Sequence, residues 1–271
     1  MKPQPIYSRD FSSSDQNYKL PVHLINHGIS APKRCVSMLL AKYYGKSYHT
    51  EVDMYSPVQV DNPTLKVPLA NAKIILITDG GLVPLGNPDR IPPTNASSFG
   101  IYSFGKCKSL GVGDYEVSHQ GYCHDEIDCN PNRLLPVDIL TFLTDQGIVG
   151  ELYPYFISTT GVMVPCEDAK TLGSHIADFV NNRPVDAAII VSTCATSTRC
   201  GSYIGIALED KDIPVVQITN LTEIAKSTGM RRVIPGASVD CPIGNSRMSS
   251  EVEWQFRKNI VLSALDALEQ V

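Results

Sequence analysis

Ala187-Ala188-Ile189-Ile190-Val191-Ser192-Thr193-Cys194-Ala195-Thr196-Ser197-Thr198-Arg199-Cys200-Gly201 is the stretch that decides how this 271-residue chain folds. Its first five residues are apolar and mostly β-branched, as in a buried strand, and the polar run that follows leads into a helical pattern over 198–211. Cys194 therefore stands at the mouth of a strand-to-helix turn. Such a turn aims backbone N–H groups and the positive end of a helix dipole at its occupant, which gives a thiol there thiolate character near neutral pH. Cys200 lies six residues on. If the turn folds back, Cys200 captures an oxidised Cys194, because a disulfide needs Cα atoms within about 7 Å. The competing reading makes both cysteines small buried hydrophobes, the usual fate of a free cysteine. The Ser, Thr and Arg residues around Cys194 weigh against it.

The same strand-then-helix alternation extends outward. Strands are expected at 73–78, 153–158, 187–192, 215–219 and 232–235, and helices at 137–146, 166–181, 198–211, 221–227 and 251–269. Strands apolar on both faces and separated by helices imply a parallel sheet covered on both sides. The expected fold is α/β, a three-layer, mostly parallel sheet of Rossmann or flavodoxin type, with ligands at the carboxyl ends of the strands. Residues 1–70 are read as an N-terminal extension and connector, polar at first, helical over 32–44 and Pro-punctuated after 45, and residues 71–271 as the catalytic domain.

Composition narrows the partners. A net charge of −5 without a basic block gives no nucleic-acid or membrane-surface footprint, and no apolar run approaches a membrane span. Met1 to Ile6 lacks the apolar core of a secretory signal, so the eight cysteines are expected to be reduced thiols in the cytoplasm. Small molecules and other proteins remain.

Two further segments carry chemistry-bearing residues. The loop Asp79-Gly80-Gly81-Leu82-Val83-Pro84-Leu85-Gly86-Asn87-Pro88-Asp89-Arg90 follows the first strand, where a ligand loop is expected, but fits neither phosphate-binding glycine pattern. A tight surface turn with solvated Asp89 and Arg90 explains it as well. The run His119-Gln120-Gly121-Tyr122-Cys123-His124-Asp125-Glu126-Ile127-Asp128-Cys129 has zinc-ligand residue types at the wrong spacing for a closed site, so no metal is assigned. His175, inside a helical pattern, reads as packed or solvated.

Together, four blocks resemble the protein B selenoprotein subunits of the glycine/sarcosine/betaine reductase family, with D-proline reductase as a cousin. They are Gly80 through Arg90; His119-Gln120-Gly121-Tyr122 with Pro131-Asn132-Arg133-Leu134-Leu135-Pro136-Val137-Asp138; Ser192 through Gly201; and Arg232-Val233-Ile234-Pro235. The resemblance covers roughly residues 70–271, the carboxyl-terminal part of such proteins, with a weaker echo at 34–51. In the family pattern selenocysteine is followed by cysteines three and six residues later. Here those positions read Cys194, Ser197 and Cys200, and Cys123 stands where relatives tend to carry an acidic residue.

The resemblance implies reductive cleavage of a C–N bond in an amino acid or N-methylated amine, with Cys194 as nucleophile and Cys200 resolving in place of the missing thiol at Ser197. It implies substrate contacts from Gly80, Gly81, Asn87, Asp89, Arg90, His119, Ser197 and Arg199. No cofactor is expected on this chain; a pyruvoyl group on a partner subunit and a small selenoprotein or thioredoxin-like reductant are the implied helpers in an oligomeric complex. A substrate carboxylate in a partly desolvated site needs cationic or N–H donors, for which Arg199 and Arg90 are the candidates and Arg133 a third arginine of the family-like blocks. Two other classes stay open: a cofactor-independent cysteine racemase, although no second Cys-Asn-Thr or Gly-Thr-Asp block is present, and a non-catalytic assembly subunit.

Overall fold

A computed structural model describes residues 28–48, 58 and 60–270, in two units, residues 1–56 and 57–271. In the first unit, α1 (Ala31–Tyr43) opens on Pro32, whose fixed φ suits a first turn, and none of its residues is buried. Residues 1–27 of the expected polar stretch, and 49–57 and 59 of the connector expected over 45–70, lie outside the described residues.

The second unit is built on β1 (Lys73–Thr78), β2 (Leu82–Pro84), β3 (Gly100–Ser103), β4 (Tyr115–Val117), α2 (Asp125–Cys129), α3 (Val137–Asp145), β5 (Glu151–Ser158), α4 (Cys166–Asn181), β6 (Ala187–Val191), α5 (Ala195–Glu209), β7 (Val215–Thr219), α6 (Thr222–Thr228), β8 (Val233–Pro235) and α7 (Ser250–Glu269). Six strands form one sheet in the order β3-β5-β1-β6-β7-β8, parallel except for β3 at the edge. Without β3 this is the doubly wound order 2-1-3-4-5, with its reversal point beside β1. The three-layer parallel sheet expected from the sequence is what forms.

Alternation along the strands makes the layers. Ile74 and Leu76 of β1, with Ala187, Ile189 and Val191 of β6, face a core shared with α3 and α7. Ile75 and Ile77, with Ala188 and Ile190, face a second core shared with α4 and α5. All nine are fully buried, each of the larger ones contributing about 1.5–3 kcal/mol from apolar burial. Pro154 lies within β5, and the β1–β5 register shifts between Ile74 and Leu76, as expected where proline leaves a gap in the ladder.

Three short strands and α2 were not expected. β2 pairs with β4 antiparallel, and β3 adds to β5. At three or four residues each, these strands are too short to carry a period. Helix α5 begins at Ala195, three residues earlier than expected, because the Ser/Thr run that looks like a loop forms its first turn.

Candidate functional site

The switch point between β1 and β6 brings Asp79 and Cys194 to the same end of the sheet. Cys194 is the N-cap residue of α5, with an extended backbone, and its carbonyl accepts from Thr198 N–H at 2.8 Å to close the first helical turn. Beneath it lies a buried polar network. Thr193 N–H donates to Asp79 Oδ1 at 3.3 Å, the Ser192 hydroxyl donates to Asp79 Oδ2, and Gln217 Nε2 donates to Ser192 Oγ at 2.8 Å and to the Thr198 carbonyl at 2.9 Å. Burial holds the Asp79 carboxyl well above the usual carboxylate range, outweighing those hydrogen bonds. The network ties α5 to β1, β6 and β7, fixing where the turn stands.

Above that floor, Cys194 Sγ lies 3.3 Å from Ser197 Oγ, to which the thiol donates, and 3.8 Å from Thr196 Oγ1. Ser197 Oγ lies 2.7 Å from His119 Nε2, and Gly121 N–H donates to His119 Nδ1 at 2.9 Å. His119 is 3 % exposed, and burial pushes its pKa down to about 4, with His124 adding a smaller repulsion. The ring packs on Tyr122 at 4.7 Å between centroids, and the Tyr122 hydroxyl donates to the Gly80 carbonyl at 2.8 Å. Gly121 stands over the thiol: a Cβ there would lie 3.0 Å from Cys194 Sγ and 2.8 Å from Val162 Cγ2. Cys194 itself is part-exposed.

The expected site residues divide. Cys194, Ser197 and His119 meet directly, and Gly80 and Gly81 line the same end of the sheet, Gly81 N–H donating to the Thr159 carbonyl at 2.9 Å. Asn87 is committed to its own loop, donating to the Ile91 carbonyl at 2.8 Å and accepting from Ile91 N–H at 2.9 Å. Asp89 and Arg90 are exposed on that loop. Arg199 Nη2 donates to the Val164 carbonyl at 3.1 Å, and Arg133 pairs with Glu253 and Glu126. Cys200 is fully buried in the core between the sheet and α4, which pushes its thiol pKa up. The turn does not fold back: α5 is continuous from Ala195, and residues six apart on a helix are separated by about 9 Å along its axis, beyond disulfide reach. His124 pairs with Asp128 at 2.5 Å, and among the described residues no cluster of three or more His, Cys, Asp or Glu side chains could hold a metal ion.

The sequence reading gave no role to Gln217, Gly121 or the loop after β5. Gln217 had a signal, a polar residue inside the apolar strand 215–219, which is buried only with partners. Gly121 had only its place in the His119-Gln120-Gly121-Tyr122 block, and its closeness to the thiol joins segments 73 residues apart in sequence.

A sequence model described as "Glycine/sarcosine/betaine reductase selenoprotein B" matches residues 22–193, ending one residue before Cys194. The chain is 38% identical over 239 residues to the glycine reductase complex component B subunit gamma of Peptoclostridium acidaminophilum, covering 88% of this chain and 54% of that protein. From the same organism, the betaine reductase complex component B subunit beta is 33% identical over 246 residues, 91% of this chain and 56% of its own length. The sarcosine reductase complex component B subunit beta is 32% identical over 244 residues, 90% of this chain and 56% of its own length. The chain thus spans about half the length of the curated relatives it matches. No solved structure matches it. With a match over more than half its length, the chain belongs to the glycine/sarcosine/betaine reductase selenoprotein B family.

Proposed function

We propose that this chain is the thiol-bearing part of a subunit in a reductase complex, and that Cys194 displaces an amine from the α-carbon of an amino acid or N-methylated amine. The observation that carries this reading is the hydrogen-bonded set Cys194, Ser197 and His119 at the sheet's switch point. The sulfur lone pair forms the S–C bond while the C–N electron pair departs with the protonated amine. The carbon fragment then passes to a small selenoprotein. Alternatively, a second thiol attacks the Cys194 sulfur, forming S–S, and the C–S electron pair stays on carbon, which takes up a proton. A thioredoxin-like partner reduces the disulfide. A pyruvoyl group on a partner subunit would supply the activation that primary and secondary amines need. The substrate carboxylate would be met by Arg199 or Arg90 and by the free N–H groups of the first turn of α5.

Ser197 and the burial of Cys200 support a second reading, an assembly subunit without chemistry, since neither can resolve Cys194 as a nearby thiol would. Family membership leaves the racemase reading without support. Limiting iodoacetamide on the native chain tests both. Cys35, Cys107, Cys123 and Cys129 are more exposed than Cys194, so access alone favours them. Under the catalytic reading Cys194 still reacts first, and incubation with partner subunits and an isotope-labelled amine leaves a carbon adduct on its peptide. If Cys194 merely follows its exposure, the assembly reading takes over.

A further inference from the structure

We propose that His119 serves Cys194 as a fixed hydrogen-bond donor acting through Ser197, and not as a base: it turns the Ser197 hydroxyl toward the sulfur and holds the thiolate for attack. The proposal rests on Cys194 being the reacting thiol, and it assigns His119 and Ser197 to the sulfur instead of to the substrate. His119 is a positioning residue in this scheme.

The direction of the chain follows from one bond. Gly121 N–H donates to Nδ1, so the Nδ1 lone pair is occupied and the neutral ring carries its proton on Nε2. Nε2–H therefore donates to Ser197 Oγ at 2.7 Å. That oxygen has two lone pairs and one hydrogen. In the thiol form, one lone pair receives Nε2–H and the other receives the Cys194 S–H. When the thiol proton leaves to water, the Ser197 O–H rotates and donates to the sulfur. Its oxygen remains fixed by His119.

A base would have to accept a proton. Nε2 already carries one, and protonating Nδ1 means breaking the bond from Gly121 and charging a buried ring; that burial, with a smaller repulsion from His124, is what lowers its pKa. Among the described residues, the groups packed around it, the Cys194 sulfur beyond Ser197 aside, offer no compensating anion. Tyr122 presents its ring, Val162 lies across Gly121, His124 repels, and the Asp79 carboxyl is held by Ser192 and Thr193 N–H beneath the turn. Ser197, three residues beyond Cys194 in the first turn of α5, is on the same helical face by geometry, so the sulfur–oxygen contact needs no induced movement.

The test is alkylation of Cys194 by iodoacetamide in the full chain, followed by peptide mass from pH 5 to 9; it needs no amine and no partner subunit. Ser197→Ala and His119→Leu should each slow Cys194 at pH 7 by about tenfold, the fold-change of one hydrogen bond to a charged sulfur, and displace the rate profile toward higher pH. The double variant should be no more than about twofold slower than either single one, because both break the same chain. His119→Gln can place an amide N–H near the Nε2 position and should recover to within about threefold of the parent. A donor survives that exchange and a base does not. His119→Gln as slow as His119→Leu, or Ser197→Ala reacting at the parental rate, overturns the proposal. Ser197→Ala removes one buried oxygen and keeps the question decidable if a His119 variant unfolds, while unaltered protection of Cys200 reports that the fold is intact. A Cys194 that alkylates through this chain yet takes up no amine carbon sinks the proposed function and leaves the donor role standing.

Discussion

Cys194 and Cys200 sit on one helix, six residues apart, in opposite environments. Cys194 caps α5 at the carboxyl end of β6, part-exposed, with a hydroxyl and an imidazole arranged beside it. Cys200 is fully buried on the face that α5 presents to α4 and the sheet. The residue type is the same; what differs is place. At the strand end the thiol is part-exposed among polar side chains, and less than two turns later the same helix is core. The proposed reactivity is therefore a property of the β6–α5 junction.

The largest effect expected from this contrast is in the relative reactivity of the two thiols. In the native chain Cys200 should alkylate roughly a thousandfold more slowly than Cys194, since reagent reaches it only through local opening. Peptide mapping after mild oxidation should find no Cys194–Cys200 bridge while α5 remains helical; finding that bridge would break the comparison. Cys194→Ser should abolish amine cleavage by the assembled complex, and residual turnover would move the chemistry elsewhere.

Next in size is a pH effect at the Cys194 end. The folded chain holds the His119 pKa near 4, below the value of about 6.5 in an unfolded chain, so between those values the unfolded state binds the extra proton. The contribution of His119 is complete above pH 6.5 and is lost as pH falls to 4, by about 3 kcal/mol at most. Asp79 and Glu209, whose pKa values burial raises, the latter to about 7, act with the opposite sign and lose stability as pH rises. The informative measurement is therefore the difference in urea stability between the parent and His119→Gln. It should change across pH 6.5 to 4, and a constant difference would show the ring is not held neutral.

Smaller effects come from the body of the helix. A Cβ at Gly201 would lie 2.2 Å from Asp79 Oδ2 and 2.5 Å from Ser192 Oγ, so Gly201→Ala should cost about 2 kcal/mol by overpacking the network. At Gly205 the nearest atom is Met230 Sδ at 2.7 Å, on a flexible side chain, and Gly205→Ala should cost under about 1 kcal/mol. Equal losses in chemical denaturation would mean the network does not fix α5. Smallest of all, Cys200→Ser should cost about 1 kcal/mol for a buried hydroxyl and leave Cys194 alkylation within about twofold. A larger change in alkylation would tie the two thiols together after all.

The strand 187–191 and the turn after it were legible because burial on both faces demands a continuous apolar run, and because a polar stretch between strand and helix has only one place to go in a parallel sheet. The same logic located β1, β7 and α4, and the i, i+3 relation of Cys194 and Ser197 was already present in their numbers. What the sequence left undecided is who faces whom. His119 reaches Ser197 across 78 residues because β4 returns the chain to the end of β1, and a three-residue strand carries too little pattern to announce that return. The resolving role expected of Cys200 rested on a spacing from Cys194 that permits a bridge in a loop and forbids it in a helix, and α5 is continuous there. Local periodicity determined the layers and put a thiol at the strand end. Only the tertiary structure, by closing α5 from its first residue and laying the His119 segment over it, decided which hydroxyl and which imidazole that thiol meets.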